Sequence, residues 1–140
     1  MIEAVIERWH NYLTGALPGG LDELLDDDVV FYSPILYTPQ SGKELTKLYL
    51  TAARSMLLGD TSPGSPDGRF RYTKQVLAGD TAVLEFETSV DDTYVNGVDI
   101  ICINEAARIV EFRVMLRTLR AVNIVHQGMK DTLEALQGDT

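Results

Sequence analysis

Asn96-Gly97-Val98-Asp99-Ile100-Ile101-Cys102-Ile103, returning as Arg108-Ile109-Val110-Glu111-Phe112-Arg113-Val114-Met115-Leu116, decides how this chain folds. Both arms are rich in β-branched and aliphatic residues. Asn104-Glu105-Ala106-Ala107 makes a short polar break between them, so the pair reads as a β-hairpin. Successive side chains on a strand point to opposite faces. Asp99 therefore shares a face with Ile101 and Ile103, a carboxyl group set among apolar neighbours. It is the one chemically odd placement in the sequence.

Two further strands, about 69–78 and 81–90, precede the hairpin, whose arms extend to about 95–104 and 107–118. Ala78-Gly79-Asp80 and residues 90–94 supply the turns. Upstream, Ile2, Val5, Ile6, Trp9 and Leu13 recur at helical spacing, and Leu17-Pro18-Gly19-Gly20 stops that helix. Leu21, Leu24 and Leu25 suggest a second, short helix ending in a turn at Asp26-Asp27-Asp28, and Val29 to Ser33 reads as a strand closed by Pro34. A loop from Ile35 to Gln40 carries Tyr37.

Ser41-Gly42-Lys43-Glu44 fits a capping box. The helix it opens shows Leu45, Leu48, Tyr49, Ala52, Met56 and Leu57 on one face and ends at Gly59. Residues 60–68 read as a mobile surface loop. A last helix is expected from about 121 to 136, with Val122, Val125, Met129, Leu133 and Leu136 as its apolar stripe. The element order describes an α+β domain in which an antiparallel sheet curls around helices and leaves a cavity between them.

The chain's 140 residues suit one domain with a real core, and no linker or internal repeat divides residues 1–140. Hydrophobic residues at 45% and charged residues at 24% match a globular protein. A formal net charge of -9 opposes binding to nucleic acid or to an anionic membrane surface. The single cysteine, Cys102, forms no internal disulfide and fits a reducing cytoplasm. No signal peptide or membrane-spanning stretch is read from the sequence.

The order and spacing of these elements resemble the nuclear-transport-factor-2-like superfamily, specifically its ketosteroid-isomerase-like and SnoaL-like (polyketide cyclase) branch. The markers are Leu24-Leu25-Asp26-Asp27-Asp28-Val29-Val30 before the first strand, Ser33-Pro34 at its end, and Asn96-Gly97-Val98-Asp99 leading into the hairpin. The resemblance implies a cone-shaped half-barrel with an apolar pocket in its mouth, usually as a homodimer.

It also implies three catalytic positions in members with steroid isomerase activity: a base after the first strand, a tyrosine on the first helix and an aspartic acid on the penultimate strand. These fall at Ser33, Trp9 and Asp99. Serine cannot take a carbon acid's proton at neutral pH, and an indole N–H donates but transfers protons poorly. Only Asp99 is retained, which argues against isomerase chemistry of that kind. Ketosteroid isomerase is itself the known case of a carboxylic acid kept neutral by an apolar site.

The resemblance places Leu84, Phe86, Thr88, Phe112, Val114 and Leu116 inward with Asp99. Glu85, Glu87, Glu111, Arg113 and Arg117 then lie on the outer face, where they can pair across strands. The hairpin turn usually carries glycine where this chain has Ala107, a strained choice if that position needs positive φ.

Asp99 is the candidate acid or base. Trp9, Met56, Phe86, Phe112, Val114 and Leu116 are expected as pocket walls, and Tyr37 as the residue reaching into the mouth. Glu85 and Glu87 read as a solvated surface pair. Neither His10 nor His126 has a histidine or cysteine at ligand spacing, so no metal and no organic cofactor is implied. Two readings stay open. One is an enzyme holding a small, largely apolar molecule for isomerase, cyclase or dehydratase-type chemistry at Asp99. The other is a ligand-binding or dimeric interaction module with a filled cavity and no turnover.

Overall fold

The structure is a computed structural model that describes residues 1–58 and 69–138. Its elements run α1 (Ile2–Leu13), α2 (Leu21–Leu24), β1 (Leu25–Tyr32), β2 (Gln40–Ser41), α3 (Lys43–Leu58), β3 (Arg71–Ala78), β4 (Thr81–Val90), β5 (Thr93–Ile103), β6 (Ile109–Arg117) and α4 (Leu119–Gly138). The expected helix stop at Gly59 and the expected loop over 60–68 lie outside the described residues. The six strands form one curved, unclosed sheet in the order β2-β1-β6-β5-β4-β3. β1 pairs with β6 in parallel, and every other neighbour is antiparallel.

Long β4, β5 and β6 make the wall, and their alternation sorts the side chains. Leu84, Phe86, Ile101 and Phe112 are buried on the inner face. There α1 presents Ile2, Val5, Ile6, Trp9 and Leu13, the stripe its spacing predicts. A second buried cluster joins Met56 and Leu57 of α3 to Phe86, Val95, Ala121 and Val125, where α4 folds back over the sheet. On the outer face Arg71 pairs with Glu87 at 2.9 Å and Lys74 with Glu85 at 3.6 Å across β3 and β4. Arg113 pairs with Glu111 on its own strand and lies over the Tyr32 ring.

Two local expectations are corrected. Asp26-Asp27-Asp28 is not a turn before the strand but lies inside β1, which starts at Leu25. An irregular register between Leu25 and Val30 absorbs the three carboxylates. Asp26 accepts hydrogen bonds from the Asp28 N–H and the Asn104 side chain, while Asp27 reaches Lys43. Ser41 does not cap α3, because it is held in the β2 ladder opposite Val30. Gly42 takes the position before the helix instead, at φ 100, and its carbonyl accepts the Thr46 N–H. Only glycine adopts that backbone readily.

The hairpin turn keeps its left-handed residue. Ala107 has φ 61. Asn104 shapes the turn around it, its Oδ1 accepting the N–H groups of Ala106 and Arg108. A left-handed L-residue is strained by roughly 1–2 kcal/mol, and glycine recovers that at the expense of about 0.4–1 kcal/mol of unfolded-chain entropy. Ala107→Gly should therefore stabilise the fold by a net ~0.5–1 kcal/mol in urea unfolding. A destabilised variant would show that the turn relaxes elsewhere.

Candidate functional site

Between the inner face of the sheet and helices α1, α3 and α4 lies a cavity of about 240 Å³. That is just under the roughly 300–1,000 Å³ of ordinary small-molecule pockets, so a compact ligand fits best. Its walls are mainly apolar: Trp9 from α1, Phe31 from β1, Met56 from α3, Phe86, Phe112 and Leu116 from the sheet. Trp9 packs against Phe112 with ring centroids 4.9 Å apart, and Phe70 stacks on Phe86 at 5.0 Å.

Sheet curvature needs a small residue at Gly97, which lies opposite Phe86 on one side and Leu116 on the other. A Cβ there would stand 2.3 Å from Phe86 Cζ and 2.8 Å from Leu116 Cδ2. Gly97 thus lets two wall residues close over the strand that carries Asp99.

Asp99 is 6% exposed and lines this cavity, with Leu84 and Val114 as its cross-strand partners. One oxygen is spoken for: Tyr72 donates to Oδ2 at 2.6 Å, and the Trp9 indole N–H donates in turn to the Tyr72 oxygen at 2.9 Å. Among the described residues no donor reaches Oδ1, and that atom is not sealed away from open space. A carboxyl in such a place resists ionisation. Burial raises its pKa from the ordinary 3.8 to about 7, against the opposing pull of the Tyr72 hydrogen bond. The Tyr72 hydroxyl is pushed well above its ordinary range by burial first and then by the Asp99 charge. Near neutrality Asp99 can therefore donate a proton from Oδ1 or accept one there.

Trp9, Met56, Phe86, Phe112, Val114 and Leu116 all line the cavity with Asp99. Tyr37 does not, and that expectation is corrected: its side chain is fully exposed. The Ser33 hydroxyl explains why, for it accepts the N–H groups of Ile35 and Leu36 and tightens the loop after β1. Ile35 and Leu36 then turn toward the cavity and Tyr37 turns out.

Tyr72 is the residue that sequence reasoning missed. The signal was weak: Phe70 and Tyr72 alternate correctly, but an irregularity between Tyr72 and Lys74 breaks the pattern of β3. His10 stays outside the cavity, accepting or donating at Gln75 and lying edge-on to Tyr72. His126, Lys130 and Arg54 line the cavity although none was read as a site residue. Among the described residues no group of three His, Cys, Asp or Glu side chains could hold a metal ion.

No protein-family model and no curated protein matches the chain. Solved structures do. A steroid delta-isomerase from Pseudomonas aeruginosa is 26% identical, with TM-score 0.85 over 98% of this chain and 94% of its own. A bacterial protein with a cystatin-like fold from Silicibacter pomeroyi is 25% identical, with TM-score 0.73 over 94% and 83%. A nuclear-transport-factor-2-like protein of unknown function from Mesorhizobium loti is 20% identical, with TM-score 0.65 over 84% and 91%. The fold is thus the curved-sheet cone of that class. The same curved-sheet fold recurs in solved structures described as nuclear-transport-factor-2-like proteins, a putative polyketide cyclase and a putative ketosteroid isomerase.

Folded Asp99 keeps its proton up to about pH 7, and the unfolded residue only to about 3.8. The native state binds the extra proton between those values, so this contribution to stability is full below about pH 4, declines as pH rises to about 7 and is level above. The span is on the order of 4 kcal/mol. Asp99→Asn should remove that slope when urea stability is compared at pH 5 and pH 8; an unchanged slope would show that the carboxyl ionises freely.

Tyr72→Phe should move the Asp99 midpoint above about 7, because the lost hydrogen bond favoured the carboxylate. It should also destabilise by about 1–3 kcal/mol, since the Trp9 N–H loses its acceptor. A carboxyl-carbon NMR titration reads the midpoint directly, and a downward move would refute the assignment.

Proposed function

We propose that the protein holds a small, largely apolar molecule in this cavity and that Asp99, in its acid form, donates a hydrogen bond from Oδ1 to an oxygen on it. The observation that carries this is a buried carboxyl with a pKa of about 7, facing a mainly apolar cavity, whose Oδ1 has no partner among the described residues. A polar atom in such a place is costly unless something satisfies it. A ligand carbonyl, or an enol forming from it, is the complementary partner. Stabilising charge that develops on an oxygen in a dry site is an effective way to lower a barrier. The similarity to a protein described as a steroid delta-isomerase supports a ligand of that general kind.

The reactions this suits are isomerisation, aldol-type cyclisation and dehydration of a carbonyl compound. The protein is taken to work as a homodimer in the cytoplasm, and the outer sheet face, where Val76 and Met115 are exposed, is the surface available for pairing.

A second reading, ligand binding without turnover, is favoured by one observation. Ser33 stands where the resemblance puts the isomerase base, and its hydroxyl is occupied with the backbone of its own turn. A hydroxyl whose lone pairs are so engaged is a still poorer base for a carbon acid's proton.

Thermal shift with a panel of steroid enones and aromatic polyketide ketones tests both. At least one should raise the melting temperature of the wild type, as RT ln(1 + [L]/Kd) requires, and shift Asp99→Leu less. Conversion of that ligand by the wild type but not by Asp99→Leu marks an enzyme, and binding without conversion marks the second reading. If no ligand shifts the wild type, the proposal of a ligand cavity fails.

A further inference from the structure

Glycine is, after proline, the least favourable residue for a helix interior, yet Gly128 stands in the middle of the 20-residue α4. The reason lies across the gap to α3. A Cβ at Gly128 would stand 2.5 Å from Met56 Sδ and 3.2 Å from Met56 Cγ, closer than packed atoms come. The Met56 side chain therefore occupies the place that a side chain at 128 would take. It also lines the cavity, together with Val125 and Met129 of α4.

Neither backbone is free to give way. α3 ends at Leu58, so its last carbonyls lack helical partners. Two of them are tied down by side chains from outside the helix. Arg69 donates to the Met56 carbonyl at 2.7 Å, and Thr88 of β4 donates to the Leu57 carbonyl at 2.8 Å. On the other helix, Ala121 and Val125 are buried in one cluster with Phe86 and Val95. What can adapt is the Met56 side chain itself, unbranched and with three rotatable bonds. Met56 is 9% exposed and packed in that same cluster, so the space open to it is the cavity it lines.

From this arrangement we infer that Gly128 and Met56 together set the size of ligand the cavity admits. The missing side chain at 128 lets Met56 draw back toward α4, and how far it draws back decides how much apolar body the ligand can carry. The inference rests on the ligand cavity proposed above and adds what selects among its ligands. With one oxygen of the ligand anchored at Asp99, the apolar body is the part left to vary. Met56 is a specificity-determining residue, and Gly128 acts through it.

A series of alkyl phenyl ketones from acetophenone to nonanophenone tests this, since it keeps the ring and carbonyl and adds one methylene at a time. Trp9 is the chain's single tryptophan and lines the cavity, so quenching of its fluorescence by the aryl ketone reads occupancy. In the wild type affinity should rise by up to about fourfold per methylene and then stop rising. Gly128→Ala, which drives Met56 into the cavity, should bring that stop at least one carbon earlier. Met56→Ala should delay it by at least one carbon. In the Met56→Ala background Gly128→Ala should leave the stop where it is, because the group that transmitted its effect is gone. An equal shift in that background would show that α4 moves as a whole, and would overturn the inference. One stopping point shared by the wild type and both single variants overturns it too, and leaves the cavity reading standing. If Gly128→Ala does not fold, Met56→Ala decides alone: a later stop supports the inference and an unchanged one overturns it. If no ketone binds the wild type, the cavity reading fails, and this inference with it.

Discussion

The site depends on a single unfavourable act of burial. Asp99 is withdrawn from water and receives one donor, Tyr72, where an ionised carboxylate would need several. Desolvation therefore wins over hydrogen bonding, and the proton stays on until about pH 7. More donors would have fixed the charged form and made the residue an inert structural ion. Without any donor, the side chain would lack a fixed direction. Tyr72 settles one oxygen and so points the other at the cavity, and Trp9 holds Tyr72 in turn.

Everything that makes this burial possible comes from the sheet. Strands β4, β5 and β6 put Leu84 and Val114 on either side of Asp99, and the next inward row is Phe86, Gly97 and Leu116. Because Gly97 has no side chain, the Phe86 ring and Leu116 meet over the strand, and apolar surface lies immediately next to the carboxyl. The helices finish the enclosure. α1 brings Trp9, and α4, seated close on α3 at Gly128, closes one side. The same tolerance of a missing Cβ operates twice, once to dry the floor of the cavity and once to seat its side wall.

Much of this was legible in the sequence because strand alternation is local. The odd position of Asp99 among Ile101 and Ile103, the apolar stripe of α1 and the strand order in chain could be read from spacing alone. The strained turn at Ala107 was signalled only by the resemblance, which puts glycine at that position. What could not be read were features that arise from register between distant segments. Tyr72 meets Asp99 across the one intervening strand, β4, and the irregularity beside it hides its face from simple counting. Tyr37 was misplaced because a serine-based turn, set by two backbone hydrogen bonds, decides which of three loop residues faces inward. The carboxylates at 26–28 looked like a turn because the parallel pairing of β1 with β6, which draws them into the sheet, joins segments some eighty residues apart. That His126, Lys130 and Arg54 line the cavity is not legible either, since nothing local shows that two helices will converge on one opening.

A single acid at the end of an apolar cavity also limits the chemistry it can perform. Moving a proton from carbon requires a base, and the loop position after β1 offers only a serine already engaged with its own turn. Within the proposed function, Asp99 would either have to serve as donor and acceptor in succession, or act only as a donor while the ligand or water takes the proton. A pKa near 7 is the value at which the first course is feasible, because both forms are populated at neutral pH and neither exchange is steeply uphill. The second course suits a ligand that is already activated, such as a β-dicarbonyl compound, whose acidic carbon needs little help. An apolar body and a polarisable oxygen at the deep end would then each meet a different part of the cavity, and orientation would follow from the oxygen and the shape of the walls. Placement by one polar anchor against a shaped apolar wall is how a cavity with so few polar groups could hold one substrate face toward Asp99.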